Sequence, residues 1–390
     1  MFSGQQALMR VVYSIPHPLG STGIGTTAWH HVDSLARAGA DVTAVCTRLV
    51  RAFDEDLAVR VVQTLGLIRP RMIGMANTYR LHDLRTARLV TRLRPDLVHT
   101  WPRSMLRTAA IADDSGVLCI REAPSPYTRA AVLQAKGAWA DLGLDVPPRH
   151  FHRIPESELR LEDDEFRAAH VVTVGSRQAA ESFDLAAFPV RVEVNPYGYD
   201  ARLFPCPPPE HRWPPVAVFV GRCEPTKGIH TLLRAWRRAA RPKGSQLLVC
   251  GILPEVVRRA LGDLLTTPGV ELLGHVGDIP AVLKYSDLLV LPSFSEGSAL
   301  VGYEALGAGA VPLVSSSSGC PVIDNVNGLV HATGDEDGLV SHLEQAMGDP
   351  EELSRLRAGA ISARTEWTWE AAGNRLLSLY RRLIAEAKTS

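Results

Sequence analysis

The sequence predicts an α/β protein with two doubly wound parallel sheets that face each other across a central cleft. Strand-like apolar runs alternate with helical patterns along almost the whole chain, which favours parallel sheets. A proline-rich segment at 205–215 interrupts this alternation. The length of 390 residues also exceeds what one hydrophobic core usually organises, so two domains are expected.

The first half begins with a strand at 9–16, a glycine-containing turn and a helix predicted over 27–38. Thr26 is expected to cap this helix, and Gly39 to end it. The further strand candidates are ADVTAVCT, AVRVVQT, PDLVHTW, GVLCIRE, HVVTVGS and VRVEVNP. This pattern predicts a Rossmann-like domain over residues 1–204.

The second half starts after the segment PCPPPEHRWPP (205–215). So many prolines cannot lie in a helix or a central strand, which predicts a stiff linker. The strand pattern then restarts with VAVFVG, QLLVCG, DLLVLPS and AVPLVSS. A second Rossmann-like domain is predicted over 216–370, and the final helix (371–390) is expected to pack back on the first domain.

Composition narrows the functional classes. The formal net charge is zero, so no global field attracts nucleic acid or anionic membrane. Six scattered cysteines without a CxxC pair predict reduced thiols and no zinc site. A secretory signal pattern is lacking, and so is an apolar run of about 18 residues. A cytoplasmic protein is therefore expected.

The turn VGRCEPTKGIH (220–230) follows the first strand of the second half and carries Arg222 and Lys227. Two cations beside free helix amides suit a diphosphate. A solvated turn with two ordinary surface cations is an equally good interpretation of the residue types alone. The spacing differs from that of a Walker loop.

The segment FSEGSALVGYEALGAG (294–309) carries Glu296 at the end of a predicted loop and Glu304 in the second turn of a predicted helix. Along a helix axis they would lie about 12 Å apart, too far for a paired acid and base. Each would address a different part of one long ligand, with a phosphate at the helix N-terminus around 298–301. Alternatively, Glu296 only complements the helix dipole and Glu304 is solvated.

A third segment, GSTGIGTT (20–27), follows the first strand. Its pattern is G-x-x-G-x-G, which differs from the dinucleotide fingerprint and is weak alone. It brings bare backbone and a helix N-terminus to the predicted cleft, although a plain tight turn explains it as well.

Together, GRCEPTKG, GHVGDIPAVLKYSDLLVLPSFSEGSALVGYEALGAGAVPLVSS and NGLV resemble the donor half of family-4 (GT4) retaining glycosyltransferases of the GT-B fold. The pair Glu296 and Glu304 is similar to the E-x7-E motif of that family. The first half is consistent with it, and the resemblance covers nearly the whole chain. Residues 218–330 are its most specific part.

The resemblance implies a role for each matching position. Arg222 and Lys227 would hold the donor diphosphate, Glu296 the donor-sugar hydroxyls and Glu304 the ribose hydroxyls, so that Arg222, Lys227 and Glu296 are the expected catalytic residues. The other donor-binding residues that it implies are Gly23, Gly25, Gly221, His275, Val276, Gly297, Ser298, Ala299, Leu300 and Val301.

One departure concerns the strand GVLCI. Many family members carry a histidine after it, whereas this chain has Arg121 and Glu122. Some relatives have arginine there, so Arg121 is a candidate substitute. His99 and Trp101, at the end of the PDLVHTW strand, are the expected acceptor-side neighbours. For His99, a core histidine bonded to backbone is favoured slightly over a catalytic one.

The implied activity is transfer of a hexose (EC 2.4) from a nucleotide diphosphate, most often UDP, to an acceptor hydroxyl with retention. No metal or cofactor is expected, and the acidic triplets at 54–56 and 335–337 are interpreted as solvated loop charges. A sugar-nucleotide epimerase or hydrolase and a non-catalytic nucleotide-sugar-binding partner remain alternatives. A dehydrogenase is poorly supported because no strand is followed by GxGxxG.

The acceptor is the least determined part. The arginine-rich stretch 69–95 is typical of a solvated basic helix face and, less often, of a helix that docks on anionic lipid. A peripheral-membrane enzyme acting on a lipid or cell-surface glycan is therefore an alternative. The neutral overall charge favours a small soluble acceptor, such as a sugar or aminocyclitol in natural-product (antibiotic) biosynthesis.

Overall fold

The computed structural model describes residues 8–207 and 212–389, so residues 208–211 of the predicted linker lie outside the described residues. Two parallel sheets form the frame. The strands of the first are β1 (Arg10–Leu19), β2 (Asp41–Leu49), β3 (Arg60–Gln63), β4 (Leu97–Thr100), β5 (Leu118–Ala123), β6 (Val171–Val174) and β7 (Val192–Val194). The strands of the second are β8 (Val216–Val220), β9 (Gln246–Cys250), β10 (Val270–Gly274), β11 (Leu288–Leu291), β12 (Val311–Ser315) and β13 (Leu329–His331).

Helices cover the faces of both sheets. Those before β8 are α1 (Ile24–Arg37), α2 (Pro70–Ile73), α3 (Met75–Leu93), α4 (Leu106–Asp114), α5 (Thr128–Asp141), α6 (Glu156–Ala168) and α7 (Arg177–Glu181). Those after β8 are α8 (Ile229–Arg238), α9 (Glu255–Leu261), α10 (Ile279–Tyr285), α11 (Leu300–Ala308), α12 (Glu336–Gly348), α13 (Pro350–Ala363) and α14 (Trp369–Ala387). None of the helices in the described ranges is long and apolar enough to cross a membrane.

The strand orders confirm the predicted fold class. The first sheet has the order β3-β2-β1-β4-β5-β6-β7, and the second β10-β9-β8-β11-β12-β13. In each sheet the chain reverses its winding direction once, between β1 and β4 and between β8 and β11. Ligands of doubly wound sheets bind at this switch point, beyond the carboxyl ends of the strands.

The start of α1 differs from the sequence prediction. The helix begins at Ile24, and Gly23 precedes it with a φ of 74°. Thr26 does not cap it, because its hydroxyl donates to the carbonyl of Ser21 at 2.8 Å. The expected cap was wrong because Gly23, free of a side chain, lets the chain enter the helix three residues earlier.

The carboxyl edges of the two sheets meet directly. The loop after β11 reaches the loop after β5 so closely that a Cβ on Gly297 would lie 2.1 Å from the carbonyl oxygen of Pro124. Ser176, which follows β6, donates to the carbonyl of Gly297 at 2.6 Å. A side chain larger than hydrogen at 297 would therefore push the two edges apart.

Two further elements tie the halves together. The end of α5 belongs physically to the second half, since Trp139 is buried in the same core as Phe219 and Leu232. At the other end of the chain, α14 packs on α1 in the core of the first half, where Tyr380 is fully buried. The chain therefore passes between the two halves at α5 and at α14 as well as at the linker.

Replacing Trp139 by alanine is expected to lower the free energy of unfolding by about 3–5 kcal/mol, because it empties a large buried volume. Leu133, an exposed residue of the same helix, is the matched control, and Leu133→Ala should change it by about 0.5 kcal/mol or less. Chemical denaturation measures both values. Equal effects of the two substitutions would contradict the assignment of α5 to the second core.

Candidate functional site

The site lies at the switch point of the second sheet, where the loops after β8 and β11 are held side by side. Gly228 adopts a φ of 73°, and a Cβ there would lie 2.0 Å from the carbonyl oxygen of Pro292. The amide of Phe294 donates to the carbonyl of Thr226 at 2.8 Å. Only glycine allows this approach, which brings the cationic turn against the glutamate loop.

Lys227 and Glu296 form the central contact of the site. The ammonium of Lys227 donates to Oε1 of Glu296, and Ser293 donates to the same oxygen at 3.2 Å. Both charged side chains are partly exposed. Within the described residues Oε2 of Glu296 accepts no hydrogen bond, so the carboxylate is oriented by one oxygen and open to a ligand at the other.

Arg222 lies on the same turn in a different environment. Its guanidinium lies 4.0 Å above the ring of Phe151 and 3.6 Å from the carboxylate of Glu224. About half of its side chain is exposed. The turn thus presents two cations at the carboxyl edge of the sheet, Lys227 paired with Glu296 and Arg222 close to the surface.

The helix N-terminus between the two glutamates is free to bind an anion. Ala299 precedes α11, and no side chain caps it. Ser298 instead donates to the carbonyl of Gly319 at 3.0 Å and bonds the hydroxyl of Tyr303 at 2.7 Å. The first amides of α11, at Leu300 and Val301, therefore meet the cleft without a competing side chain.

His275 and Val276, which the resemblance implies to be donor-binding, lie in different environments. Val276 packs in the same apolar cluster as Leu300 and Val301, which provides an apolar wall. His275 is exposed. Gly221 donates its amide to the carbonyl of Cys250 at 2.9 Å, which ties the start of the cationic turn to β9.

Glu304 is largely but not fully buried on α11, within a mainly apolar helix. This burial raises the pKa of its carboxyl group to about 7 because an ionised carboxylate loses hydration there. It is thus neither a plain solvated residue nor a partner of Glu296. A hydroxyl donor arriving from a ligand would compensate the buried charge.

The first loop carries Gly23 and Gly25 beside α1. Gly23 has a positive φ and open space around its Cβ position, whereas a Cβ on Gly25 would lie 2.5 Å from the carbonyl of Pro18. Both glycines are therefore required by the path of the loop itself. Exposed backbone at Gly23 faces the switch point of the first sheet.

The residues expected on the acceptor side are buried beneath the cleft. His99 bonds the hydroxyl of Tyr380 through Nδ1 at 2.7 Å, and its Nε2 lies 3.2 Å from Glu122. Trp101 donates to the hydroxyl of Tyr13 at 3.0 Å. His99 is thus a core histidine, as favoured, but the expected backbone partner was wrong because the side chains of Tyr380 and Glu122 lie against its two ring nitrogens.

Glu122 is the centre of this buried cluster. Burial acts to raise the pKa of its carboxyl group, but the hydrogen bond from His99 and the nearby His31 outweigh burial and lower it. Tyr197 donates to it at 2.7 Å, and Thr173 at 2.6 Å. The ionised carboxylate therefore has its donors within the protein, and a direct acceptor contact is not its role.

Arg121 does not take the place of a cleft histidine. Its guanidinium is buried, stacks on Phe166 at 3.9 Å and pairs with Glu165 at 3.1 Å and Glu162 at 3.5 Å. Alternate residues of a strand point to opposite faces, and Arg121 faces α6. The sequence showed that an arginine stood at this position but could not show which face it occupied.

The residues that line the open cavity of the first half were not among the site residues predicted from the sequence. This cavity has a volume of about 840 Å³. Its lining includes His17, Met75, Tyr79, Arg80, Arg103 and Glu158. Arg103 pairs with Glu158 at 2.7 Å. In sequence, His17 and Arg103 lie near the ends of β1 and β4, the switch-point strands, and the lining residues of α3 fall within the arginine-rich stretch 69–95.

Comparison with known proteins agrees with this architecture. Residues 208–363 match the family model "Glycosyl transferases group 1". The D-inositol 3-phosphate glycosyltransferase of Segniliparus rotundus is 28% identical over 301 residues, which cover 70% of this chain and 62% of that protein. The enzyme of the same name from Mycobacterium tuberculosis is 31% identical over 186 residues, 44% of this chain and 38% of that protein.

Solved structures resemble almost the whole chain. Sucrose-phosphate synthase from Thermosynechococcus elongatus superimposes with a TM-score of 0.70 at 18% identity, covering 97% of this chain and all of that one. HepE of Anabaena, solved with UDP and glucose, gives 0.64 at 16% identity, with 96% and 100% covered. The chain therefore has the GT-B fold, and the match to the family model lies in its second half.

Glu304→Gln is expected to stabilise the protein at pH 8 and to have little effect at pH 4. The pKa of Glu304 is about 7 in the folded state, so its protonated form is the one that folding favours. The contribution of Glu304 to the free energy of unfolding is fully present below the pKa of about 4.3 that the group has in the unfolded chain. This contribution is lost as the pH rises through 7. At pH 8 the loss approaches 3–4 kcal/mol, at about 1.4 kcal/mol per unit of pKa shift.

Thermal unfolding of both proteins across this pH range measures the effect. Glu55→Gln, at an exposed position in the loop between β2 and β3, serves as the control and should show no such pH dependence. A constant difference between Glu304→Gln and wild type from pH 4 to 8 would contradict the raised pKa.

Proposed function

We propose that the protein is a retaining glycosyltransferase that moves a sugar from a nucleotide diphosphate to an acceptor hydroxyl. The observation that carries the proposal is the contact between Lys227 and Glu296 beside the uncapped N-terminus of α11. A cation, a carboxylate and free helix amides at one switch point match a diphosphate and the sugar attached to it.

In this proposal the donor lies along α11. Glu296 accepts hydrogen bonds from the donor-sugar hydroxyls through Oε2, Lys227 and Arg222 hold the diphosphate, and Glu304 accepts the ribose hydroxyls. Val276, with Leu300 and Val301, provides an apolar surface for the base. UDP is the proposed nucleotide, consistent with the complexes described for HepE.

The reaction breaks the bond between the anomeric carbon and the diphosphate oxygen and forms one between that carbon and the acceptor oxygen. The acceptor proton passes to an oxygen of the departing diphosphate. Lys227, Arg222 and the amides of α11 stabilise the charge that develops on this leaving group, because they are already oriented before the reaction. We propose that these groups suffice without a metal ion.

The acceptor is proposed to bind in the 840 Å³ cavity of the first half. Its polar lining of Tyr79, Arg80 and Arg103 can bond several hydroxyls. The relatives in Segniliparus and Mycobacterium carry the name of inositol-phosphate glycosyltransferases. A small polyhydroxylated acceptor in the cytoplasm, such as a sugar or an aminocyclitol of a biosynthetic pathway, is therefore proposed.

A second candidate function has one observation in its favour. Leu67 is almost fully exposed, and Met72 and Met75 are also largely exposed. Arg71 lies on α2 and Arg69 just before it. Met75 also lines the proposed acceptor cavity. An apolar and basic lip beside this cavity suits a glycosyltransferase that takes its acceptor from an anionic membrane surface.

Lys227→Ala is expected to weaken UDP binding about tenfold to a hundredfold, because it removes a charge-assisted hydrogen bond to the diphosphate. Turnover of the best nucleotide sugar, measured as UDP release with a panel of sugars and cyclitols, should nearly vanish. Lys243→Ala, at an exposed position before β9, is the control and should resemble wild type.

The same assay separates the alternatives. UDP release without any acceptor would indicate a hydrolase, and an altered nucleotide sugar would indicate an epimerase. Binding without turnover over the whole panel would indicate a non-catalytic partner. UDP binding by Lys227→Ala as tight as that by wild type would contradict the proposed donor site.

Leu67→Ser combined with Met72→Ser tests the membrane alternative by co-sedimentation with phosphatidylglycerol vesicles. If the lip docks on lipid, wild type sediments and the double variant loses about tenfold or more in partitioning, since each exposed apolar side chain contributes about 1–2 kcal/mol. Leu133→Ser, exposed elsewhere, is the control. The soluble-acceptor proposal expects no sedimentation of any of these proteins.

A further inference from the structure

The segment 147–155, which joins α5 to α6, lies against the cationic turn of the second half. It is held there by the core residues that precede it. Trp139 contacts the ring of His150 edge-on at 5.3 Å, and Arg153 donates to the carbonyl of Val146 at 2.9 Å. Val146 and Trp139 are both buried in the core of the second sheet.

We call this segment the HFH segment, after His150, Phe151 and His152. Two of its side chains contact the cationic turn directly. Nε2 of His150 lies 3.2 Å from Oε2 of Glu224. The ring of Phe151 supports the guanidinium of Arg222 at 4.0 Å. Arg222 is thus positioned from both sides, by Phe151 and by a carboxylate that His150 fixes.

The backbone of the segment also fixes the tautomer of His150. The amide of His152 donates to Nδ1 of His150 at 3.2 Å, so this nitrogen acts as the acceptor. The ring proton of a neutral His150 must then reside on Nε2, which faces Glu224. His150 and Phe151 therefore serve the turn, and neither is available to a ligand.

His152 differs from these two residues. Its ring packs on Phe151 at 4.0 Å and lies 5.1 Å from His150. Its Nδ1 is buried and, among residues 8–207 and 212–389, has no hydrogen-bond partner. It is thus a half-buried imidazole beside the two cations of the turn whose hydrogen-bonding capacity the protein does not use.

The charges around His152 keep it neutral in the free protein. Burial comes first, followed by His150, Arg222 and Lys227, and together they lower the pKa of His152 to about 4. The other charged groups on its cavity wall are Lys136, Asp145 and Arg153. A ligand that neutralises Arg222 and Lys227 removes much of the repulsion that disfavours a proton on the ring.

We propose that the HFH segment forms the second wall of the donor diphosphate subsite, with His152 as a diphosphate-binding residue and His150 and Phe151 as positioning residues for Arg222. The proposal rests on the glycosyltransferase function proposed above. It adds to that function a further diphosphate-binding residue. His152 precedes the linker in sequence but completes a subsite of the second half. When the diphosphate enters, His152 takes up a proton from solvent and donates it in a hydrogen bond to a phosphate oxygen.

Isothermal titration with UDP tests the proposal at about pH 6 and pH 8, the range over which a histidine paired with phosphate changes charge. Measurements in two buffers of different ionisation heat give the number of protons taken up on binding. The proteins are wild type, His152→Gln, Lys227→Ala and the control His170→Gln. His170, at the start of β6, lies at the surface beside Asp113.

Wild type and His170→Gln are expected to take up more protons than His152→Gln at pH 6. His152→Gln should bind UDP about tenfold more weakly at pH 6, as loss of one charge-assisted hydrogen bond implies, and less so at pH 8. Titration of UDP itself and of Glu304 contributes equally to all of these proteins. The difference between variants therefore belongs to His152.

The outcomes are distinguishable. If wild type binds UDP and Lys227→Ala does not, while His152→Gln equals wild type in affinity and proton uptake, this inference is overturned and the proposed function stands. If wild type binds neither UDP nor GDP, or Lys227→Ala binds them equally well, the proposed function fails and the inference fails with it. Thermal unfolding of His152→Gln shows whether it is folded, and Phe151→Leu, which keeps the imidazole of His152, should weaken UDP binding because the guanidinium of Arg222 loses its aromatic support.

Discussion

The close approach of the two sheet edges is the constraint on which the rest of this protein depends. It requires Gly297 against Pro124, and within the second half Gly228 lies equally close to Pro292, so that a Cβ has no room at either glycine. The first contact sets the distance between the halves. The second sets Lys227 beside Glu296. Since the site is assembled from loops of separate strands, its geometry follows from backbone contacts that only glycine permits.

Beneath this contact the first half holds a buried carboxylate. Glu122 receives hydrogen bonds from Tyr197 and Thr173, and the amide of Tyr197 in turn donates to the hydroxyl of Tyr303 on α11. Tyr303 bonds Ser298 at the mouth of the donor site. A continuous set of hydrogen bonds thus links the core of one half to the helix that would bind the donor in the other. Such a network is stabilising only when every member is satisfied.

The proposed donor site was easier to predict than the proposed acceptor site for a physical reason. Arg222, Lys227, Glu296 and Glu304 lie on local strand-turn-helix units, in which sequence spacing determines position. The acceptor-side residues depend on which face of a strand a side chain occupies. His99 and Glu122 point into the core, and Arg121 points to α6. The cavity is lined instead by residues of β1, α3, the loop after β4, and α6, which share no sequence pattern.

By itself the sequence determined the two-sheet architecture, the switch-point position of the cationic turn, and the placement of Glu296 before α11 and Glu304 on it, because periodicity and turn chemistry are local. Only the tertiary structure decided that Lys227 pairs with Glu296 and that α5 belongs to the second core. It also decided that His152, far away in sequence, lies against the same turn. These features arise from contacts between distant segments, and such contacts follow from how the elements pack.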